Sequence, residues 1–390
     1  MLYAYLLPLP EYNIVRNGAS AVLLGIFAWQ YRVTVPMLLK SWPLTLLPIL
    51  GLLSVGWTNY PDSAIRIAIL HLITPFLLVT IAARLRGEEI IRVFMIAGAG
   101  VVLYSVPFYA TLPEGGPFAQ KNILAYHMMI ITLMSFAVVL NEKEHVLLRL
   151  MATVFCGTAF VFQMIADSAT SMVFSLGGFA ALLAVKFIWT NAEKVANFRV
   201  IVFGAVVAAL LAVVLALSMM PQNQIVSDFL NLFGKDATLT GRTDIWKAAE
   251  MASSEHPWLG VGLDGFWQYN TGLAATLAEL TYKDPGTNIS FHSAFWEIRV
   301  HLGFVGLGIF LWALTWSGLR MLGLWLKNGS VVNSTFLLFF MISLATCFTE
   351  SYAAASFSPY ACLIYLGALV AFGVRERKFL GTGRAVEQVA

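Results

Sequence analysis

Charge is scarce in this sequence. Only 12% of its 390 residues are charged, about half the share of an average soluble domain. The hydrophobic fraction is 59% and the mean hydropathy +0.78, so there is too little polar surface to cover a soluble chain of this length. The net charge of +3 is small, and its basic residues fall in short clusters between apolar runs, which argues against a nucleic-acid partner. Cysteine is scarce as well: Cys156, Cys347 and Cys362 all lie in apolar runs with no CxxC or ligand spacing. That pattern offers neither a disulfide framework nor a zinc site. No GxSG motif, internal repeat or low-complexity tract is present, which removes the main sequence signal for an intramembrane serine protease and for a repeat-built transporter. The first strong apolar run has no basic flank and no small-residue cleavage site, so it is expected to stay as a span.

What the sequence has is long apolar runs. A helix needs roughly 17–25 apolar residues to cross a bilayer core, and eleven such runs are read at 14–32, 36–56, 64–83, 90–111, 122–140, 146–166, 169–189, 199–220, 293–315, 332–350 and 356–374. Residues 1–10 could add part of a twelfth. The expected fold is an all-α polytopic membrane protein with 11–12 transmembrane helices. Basic residues in alternate loops orient it by the positive-inside rule: Arg32 and Lys40; Arg84, Arg86 and Arg92; Lys143 and Arg149; Lys186, Lys194 and Arg199; Arg320 and Lys327; Arg375, Arg377 and Lys378. The C-terminus is then cytoplasmic, and the long polar segment at 221–292 is extracytoplasmic. The chain divides into N-terminal spans (1–220), that loop (221–292), C-terminal spans (293–374) and a cytoplasmic tail (375–390).

The loop carries TGRTDIW (Thr240 to Trp246) and HPWLGVGLDGFW (His256 to Trp267), and ends on FHSAFWEIRVHLG (Phe291 to Gly303). Thr243 is a candidate cap for a short helix through IWKAAEMA. His292, at the outer end of a span, suits a general base for a hydroxyl nucleophile; the alternative is an interfacial histidine at a helix start. Arg242 beside a helix N-terminus suits a diphosphate, because its fork pairs with phosphate oxygens; the alternative is an ion pair with Asp244 or Asp236. Lys121 and Asn122 open a span on the outer side, where a snorkelling lysine is the commoner case. Arg66 lies one turn inside another span and can pair with Asp62 at i−4, and Glu350 ends a span at the outer rim. Charges at such depth are usually paired or functional. Gly260, Gly262 and Gly265 imitate the dinucleotide fingerprint without its strand-turn-helix frame, and read better as a tight loop returning to the membrane. Glu297 and His301, at i and i+4, lack further ligands and read as a buried hydrogen-bonded pair rather than a metal site.

The order of these pieces resembles the O-antigen ligase and polymerase superfamily of bacterial envelope enzymes: SVGWTNYPDSAIR, GPFAQKNILA, TGRTDIW, HPWLGVGLDGFW, HSAFWEIRVHLGFVGL and FTES. The combination of TGRTDIW and GVGLDGFW looks most like its exopolysaccharide-polymerase branch. The resemblance implies a GT-C-like, inverting glycosyltransferase that needs no metal or other cofactor, in the bacterial inner membrane with its site facing the periplasm. It implies a glycan donor on undecaprenyl diphosphate and, as acceptor, another lipid-linked glycan (polymerase) or lipid A core (ligase). Carried over residue by residue, the catalytic histidine and loop arginine fall on His292 and Arg242, with Lys121, Asn122, Arg66, Ser168, Glu350 and Trp246 as candidate diphosphate or substrate contacts. The stretch DSATS (Asp167 to Ser171) has Ala169 where ligases of the family carry a second arginine, so Lys121 or Arg66 would supply that charge, or one cation suffices. A polytopic transporter or lipid-linked oligosaccharide flippase is the alternative of another class. The single large outer loop and the low charge of the span centres weigh against it.

Overall fold

The structure, a computed structural model, describes residues 13–118, 120–189, 201, 204, 242–267, 272–280 and 290–372. Residues 1–10, the expected span at 199–220 apart from 201 and 204, and the 375–390 tail lie outside them, as do 221–241, 268–271 and 281–289 of the loop, and with them Lys194, Arg199 and Asp236. Every regular element among the described residues is helical: α1 (Asn13–Trp29), α2 (Tyr31–Lys40), α3 (Pro43–Leu53), α4 (Pro61–Arg84), α5 (Gly87–Ser105), α6 (Lys121–Leu140), α7 (Val146–Ile165), α8 (Ala169–Ala184), α9 (Arg242–Glu255), α10 (Gly272–Leu280), α11 (Ala294–Lys327), α12 (Val331–Thr346) and α13 (Pro359–Val370). The protein is an all-α polytopic membrane protein.

Among the described residues, six helical stretches are long and apolar enough to cross a membrane, or seven if the bent α1–α2 pair is one span, and three more apolar helices are shorter. The expectation of one crossing over 36–56 does not hold. Instead, α1 turns through 98° at Gln30 into α2, where the Thr34 hydroxyl donates to the freed Phe27 carbonyl at 2.8 Å. The chain then breaks again before Pro43, which has no N–H with which to continue α2 and opens α3 at its first position. The short helix within 221–292 also starts two residues early: α9 begins at Arg242, leaving Thr243 inside the first turn rather than at the cap.

At the centre stands α6, buried along most of its length from Leu124 to Val138 and packed against α5, α7, α8 and α12. Lipid is as apolar as leucine, so close backbone approach rather than hydrophobicity drives such packing. Gly98 of α5 and Gly178 of α8 supply that approach, facing Ile131 and Leu133 of α6 across gaps that no added methyl would fit. Large apolar side chains of α7 and α8, such as Leu150, Val154, Val161, Val173 and Leu176, point outward, as a lipid-facing surface requires.

The two sets of helix ends keep separate company. At one end Arg92 clamps Glu144 through three hydrogen bonds of 2.8–3.1 Å, Lys186 pairs with Glu142, Arg84 donates to the Gln30 side chain, and Trp189 stacks on Trp325. At the other, the segments around Ser54–Ser63, 256–267, 290–294 and 347–352 bond to one another. The basic clusters Arg84–Arg92, Lys143–Arg149 and Lys186 thus share one end and the loop motifs the other.

The second end is fastened by a splice in α11. Gly303 sits at φ 64°, ψ −164° in the middle of this 34-residue helix, a conformation open essentially to glycine alone. The break frees carbonyls at Val300 and His301 and N–H groups at Phe304 and Val305. The loop supplies the partners: Val261 N–H to Val300 O at 3.0 Å, Gly262 N–H to His301 O at 2.9 Å, Phe304 N–H to Pro257 O at 2.8 Å and Val305 N–H to Trp258 O at 3.1 Å. Each such group left unsatisfied in lipid costs several kcal/mol, so the loop and the broken helix need each other. The glycine-rich GVGLDG is therefore a loop returning to the membrane, and Gly260 (φ 66°) passes where a Cβ would strike the Val300 and His301 backbone.

Gly303→Ala forces an L-residue into that conformation and drives its Cβ into the Trp258 carbonyl, with strain of about 1–3 kcal/mol before the clash is counted. A lowered unfolding midpoint in detergent is expected; a midpoint equal to wild type would show that the splice does not hold the loop.

Candidate functional site

The centre of this end is a carboxylate. Glu350 follows α12, is 4% exposed, and holds two partners from distant parts of the chain. Its Oε1 accepts from Arg242 Nη2 at 2.8 Å, and its Oε2 lies 3.3 Å from His292 Nδ1. Three segments, each at least fifty residues from the next, thus meet at this carboxylate.

Local backbone puts them there. His292 takes φ 49°, a left-handed conformation costly for a residue other than glycine, asparagine or aspartate. Immediately after it α11 begins, and its first N–H, on Ala294, donates to both the Cys347 and Glu350 carbonyls at 2.9 and 3.1 Å, while Ser293 Oγ donates to Cys347 O at 3.3 Å. An orphan donor of a helix start is satisfied by the chain that carries Glu350, so His292 and Glu350 are held together through main chain. Arg242 is placed by α9, whose Ile245, Ala248, Ala249 and Ala252 pack in a small apolar cluster with Phe266, Phe291 and Val300. Trp246 fixes the register by donating Nε1–H to the Phe291 carbonyl at 2.9 Å.

A second carboxylate stitches the rim. Glu297 accepts from Trp267 Nε1 at 2.7 Å, from the Phe291 N–H at 3.0 Å and from Ser351 Oγ at 3.1 Å, and lies 3.6 Å from His301 Nδ1. The three hydrogen bonds account for both its oxygens, and at 3.6 Å Glu297 and His301 lie close without the hydrogen bond expected of the pair. The motif around Thr58 is clamped to the glycine loop: Ser54 Oγ accepts from the Leu263 N–H at 2.9 Å, and Ser63 Oγ donates to Asp264. Asp264, itself at φ 60°, and the Glu297 hub are site-building residues that motif reading misses, because their partners lie far away in sequence.

The remaining candidates approach this end without joining the Glu350 cluster. Lys121 and Asn122 open α6. Four residues after Asn122, Tyr126 brings its phenol into electrostatic contact with Glu350 and Arg242 and faces Thr170 and Thr349. Ser168, 7% exposed, stands at the N-cap position of α8 without a side-chain cap bond and accepts a 3.3 Å bond from Ser171. Arg66 and Asp62 are both exposed and form no pair with each other, and neither Arg66 nor Lys121 bonds to Arg242, His292 or Glu350. Arg299, on the helix that follows His292, turns away and lies over the Trp296 and Phe304 rings at 4.9 and 4.7 Å. Burial and the Glu350 charge push the Tyr352 phenol well above its ordinary value, so it stays protonated beside the cluster.

The arrangement offers an imidazole edge, a guanidinium and a buried counter-charge at one end of a membrane-spanning bundle. That is equipment for deprotonating a hydroxyl beside a bound anion. Residues 152–311 match the family model described as O-Antigen ligase. Over 274 residues the chain is 28% identical to the exopolysaccharide production protein ExoQ of Rhizobium meliloti (strain 1021), covering 66% of this chain and 60% of that protein. The chain therefore spans under two thirds of the length of this relative. Together the two matches support the O-antigen ligase/polymerase superfamily, in its exopolysaccharide branch, as the family of this chain.

Proposed function

We propose that the protein is a metal-independent, inverting glycosyltransferase of the inner membrane that lengthens an exopolysaccharide or O-antigen-type glycan at the periplasmic face. The observation that carries this reading is the meeting of His292 and Arg242 on Glu350. The acceptor hydroxyl oxygen attacks the anomeric carbon of a glycan borne on undecaprenyl diphosphate, from the face opposite the leaving group, so the configuration inverts. His292 Nε2 takes the hydroxyl proton. The bond from the anomeric carbon to the diphosphate oxygen breaks, and the electron pair leaves on undecaprenyl diphosphate, whose growing charge Arg242 stabilises. Lys121, Asn122, Arg66, Ser168 and Trp246 line the approach. The basic helix ends face the cytoplasm in this reading, the C-terminus with them, and 221–292 is the periplasmic loop between two sets of spans. A donor on that side is one already carried across on lipid rather than a sugar nucleotide.

The relative is an exopolysaccharide production protein by name, which supports the polymerase reading, in which the acceptor is itself a lipid-linked glycan. The description of the matched family favours a second reading, in which lipid A core is the acceptor. Purified protein given undecaprenyl-diphosphate glycan, with and without lipid A core, separates them by which product grows.

His292→Ala is expected to lower transfer by about 10²–10⁴-fold, the usual worth of a general base, and Arg242→Ala by about 10²–10³-fold, as for loss of one oxyanion-type donor. In both, the lipid-linked donor accumulates while the protein stays inserted. Full transfer by His292→Ala in a purified assay would defeat the mechanism. EDTA in the same assay is expected to leave the rate unchanged; loss of activity that added divalent metal restores would contradict metal independence.

A further inference from the structure

Glu350 is a poor ligand for a diphosphate, since its negative charge would repel it and both its oxygens already have partners. Its partners are instead the two groups that the reaction requires to act together. We propose that Glu350 is the positioning residue of the site: one buried carboxylate that sets the imidazole tautomer of His292 and the direction of the Arg242 fork at once. The proposal rests on the transferase reading above.

The argument runs atom by atom. A carboxylate only accepts, so the His292 nitrogen facing it, Nδ1, must carry the hydrogen. The lone pair then sits on Nε2, which bonds no described residue and belongs to a side chain 28% exposed. This is the nitrogen that can receive a proton from an acceptor hydroxyl, and the imidazolium so formed lies against a fixed negative charge. On the other oxygen only Nη2 of Arg242 is engaged. Its remaining N–H donors bond no described residue, and its side chain is 17% exposed. Proton acceptor and anion binder are thus presented from one anchor, itself fixed by the Ala294 N–H on its own carbonyl. Among the described residues, the charged and titratable groups that face or flank the pair are these. Glu297 is taken up by Trp267, the Phe291 N–H and Ser351. The Tyr126 phenol of α6 and that of Tyr352 after α12 face Glu350, and Arg299 is stacked on rings.

The decisive variant is Glu350→Gln, which keeps the shape. An amide has one acceptor oxygen, so it can serve Arg242 or His292 but not both. With oxygen kept by the guanidinium, its NH₂ faces Nδ1 and moves the imidazole hydrogen to Nε2. Expected are a fall in kcat of about 10²–10⁴-fold, the range of general-base catalysis, with KM for the lipid-linked donor within about threefold. No further loss is expected when Glu350→Gln is added to His292→Ala. Glu350→Asp, which keeps the charge on a shorter arm, should recover part of the rate. Nitrogen-15 NMR of histidine-labelled protein, with His292→Ala used for assignment, should show the Nδ1–H tautomer in wild type and Nε2–H in Glu350→Gln. This reading needs no turnover and stands even if a variant extracts poorly. A wild-type Nε2–H tautomer, or a Glu350→Gln enzyme with wild-type kcat where His292→Ala is inactive, would overturn the role of Glu350. An active His292→Ala would instead overturn the transferase mechanism on which it rests.

Discussion

Backbone hydrogen bonding in a medium without water is the constraint on which this architecture turns. A continuous helix satisfies itself, and α6 and α7 do so from end to end. α11 does not, because at Gly303 it gives up its own ladder, and the vacated groups must find partners within the protein. The loop from Pro257 to Gly262 supplies them, and everything at the functional end follows from that commitment. With the loop pinned there, Asp264 reaches Ser63, Leu263 reaches Ser54, Trp267 reaches Glu297, and α9 is brought over the start of α11 with Arg242 at its tip.

Hydropathy makes most of the bundle legible. The runs read at 122–140, 146–166 and 169–189 correspond closely to α6, α7 and α8 with its continuation to Trp189, because a crossing helix must be apolar for nearly its whole length. The same measure is blind to backbone torsion. Nothing in the apolar content distinguishes Gly303 from Gly306 or Gly308 a turn later, so the break in α11 and its extension to Lys327 do not show. The bend at Gln30 is hidden for the same reason, although Pro36, Pro43 and Pro48 warn that 36–56 is a poor candidate for one helix.

The site divides the same way. Histidine at a span end and arginine at a helix start are recognisable because each has a local reason to be there, and motif order strengthens both. The role of Glu350 is not recognisable locally. Its two partners lie 58 and 108 residues away, and a carboxylate at a membrane rim reads equally well as a substrate contact. Only the fold shows that its oxygens face inward to Arg242 and His292. The empty place for a second arginine at Ala169 is legible in the sequence, and the structure fills it with no other cation among the described residues bonded to the centre.

The double anchoring of the 221–292 segment has a consequence for how such a protein diversifies. The chain is held by main-chain bonds at 257–262 and again at 290–294, and the machinery sits at those anchors rather than between them. Lengthening a segment whose ends are already fixed is cheap, about 0.6 kcal/mol for each doubling. The stretch between Trp267 and Ser290 can therefore change in length and composition while the distance from His292 to Glu350 stays the same. In the transferase reading proposed above, recognition and chemistry are then separable along the chain.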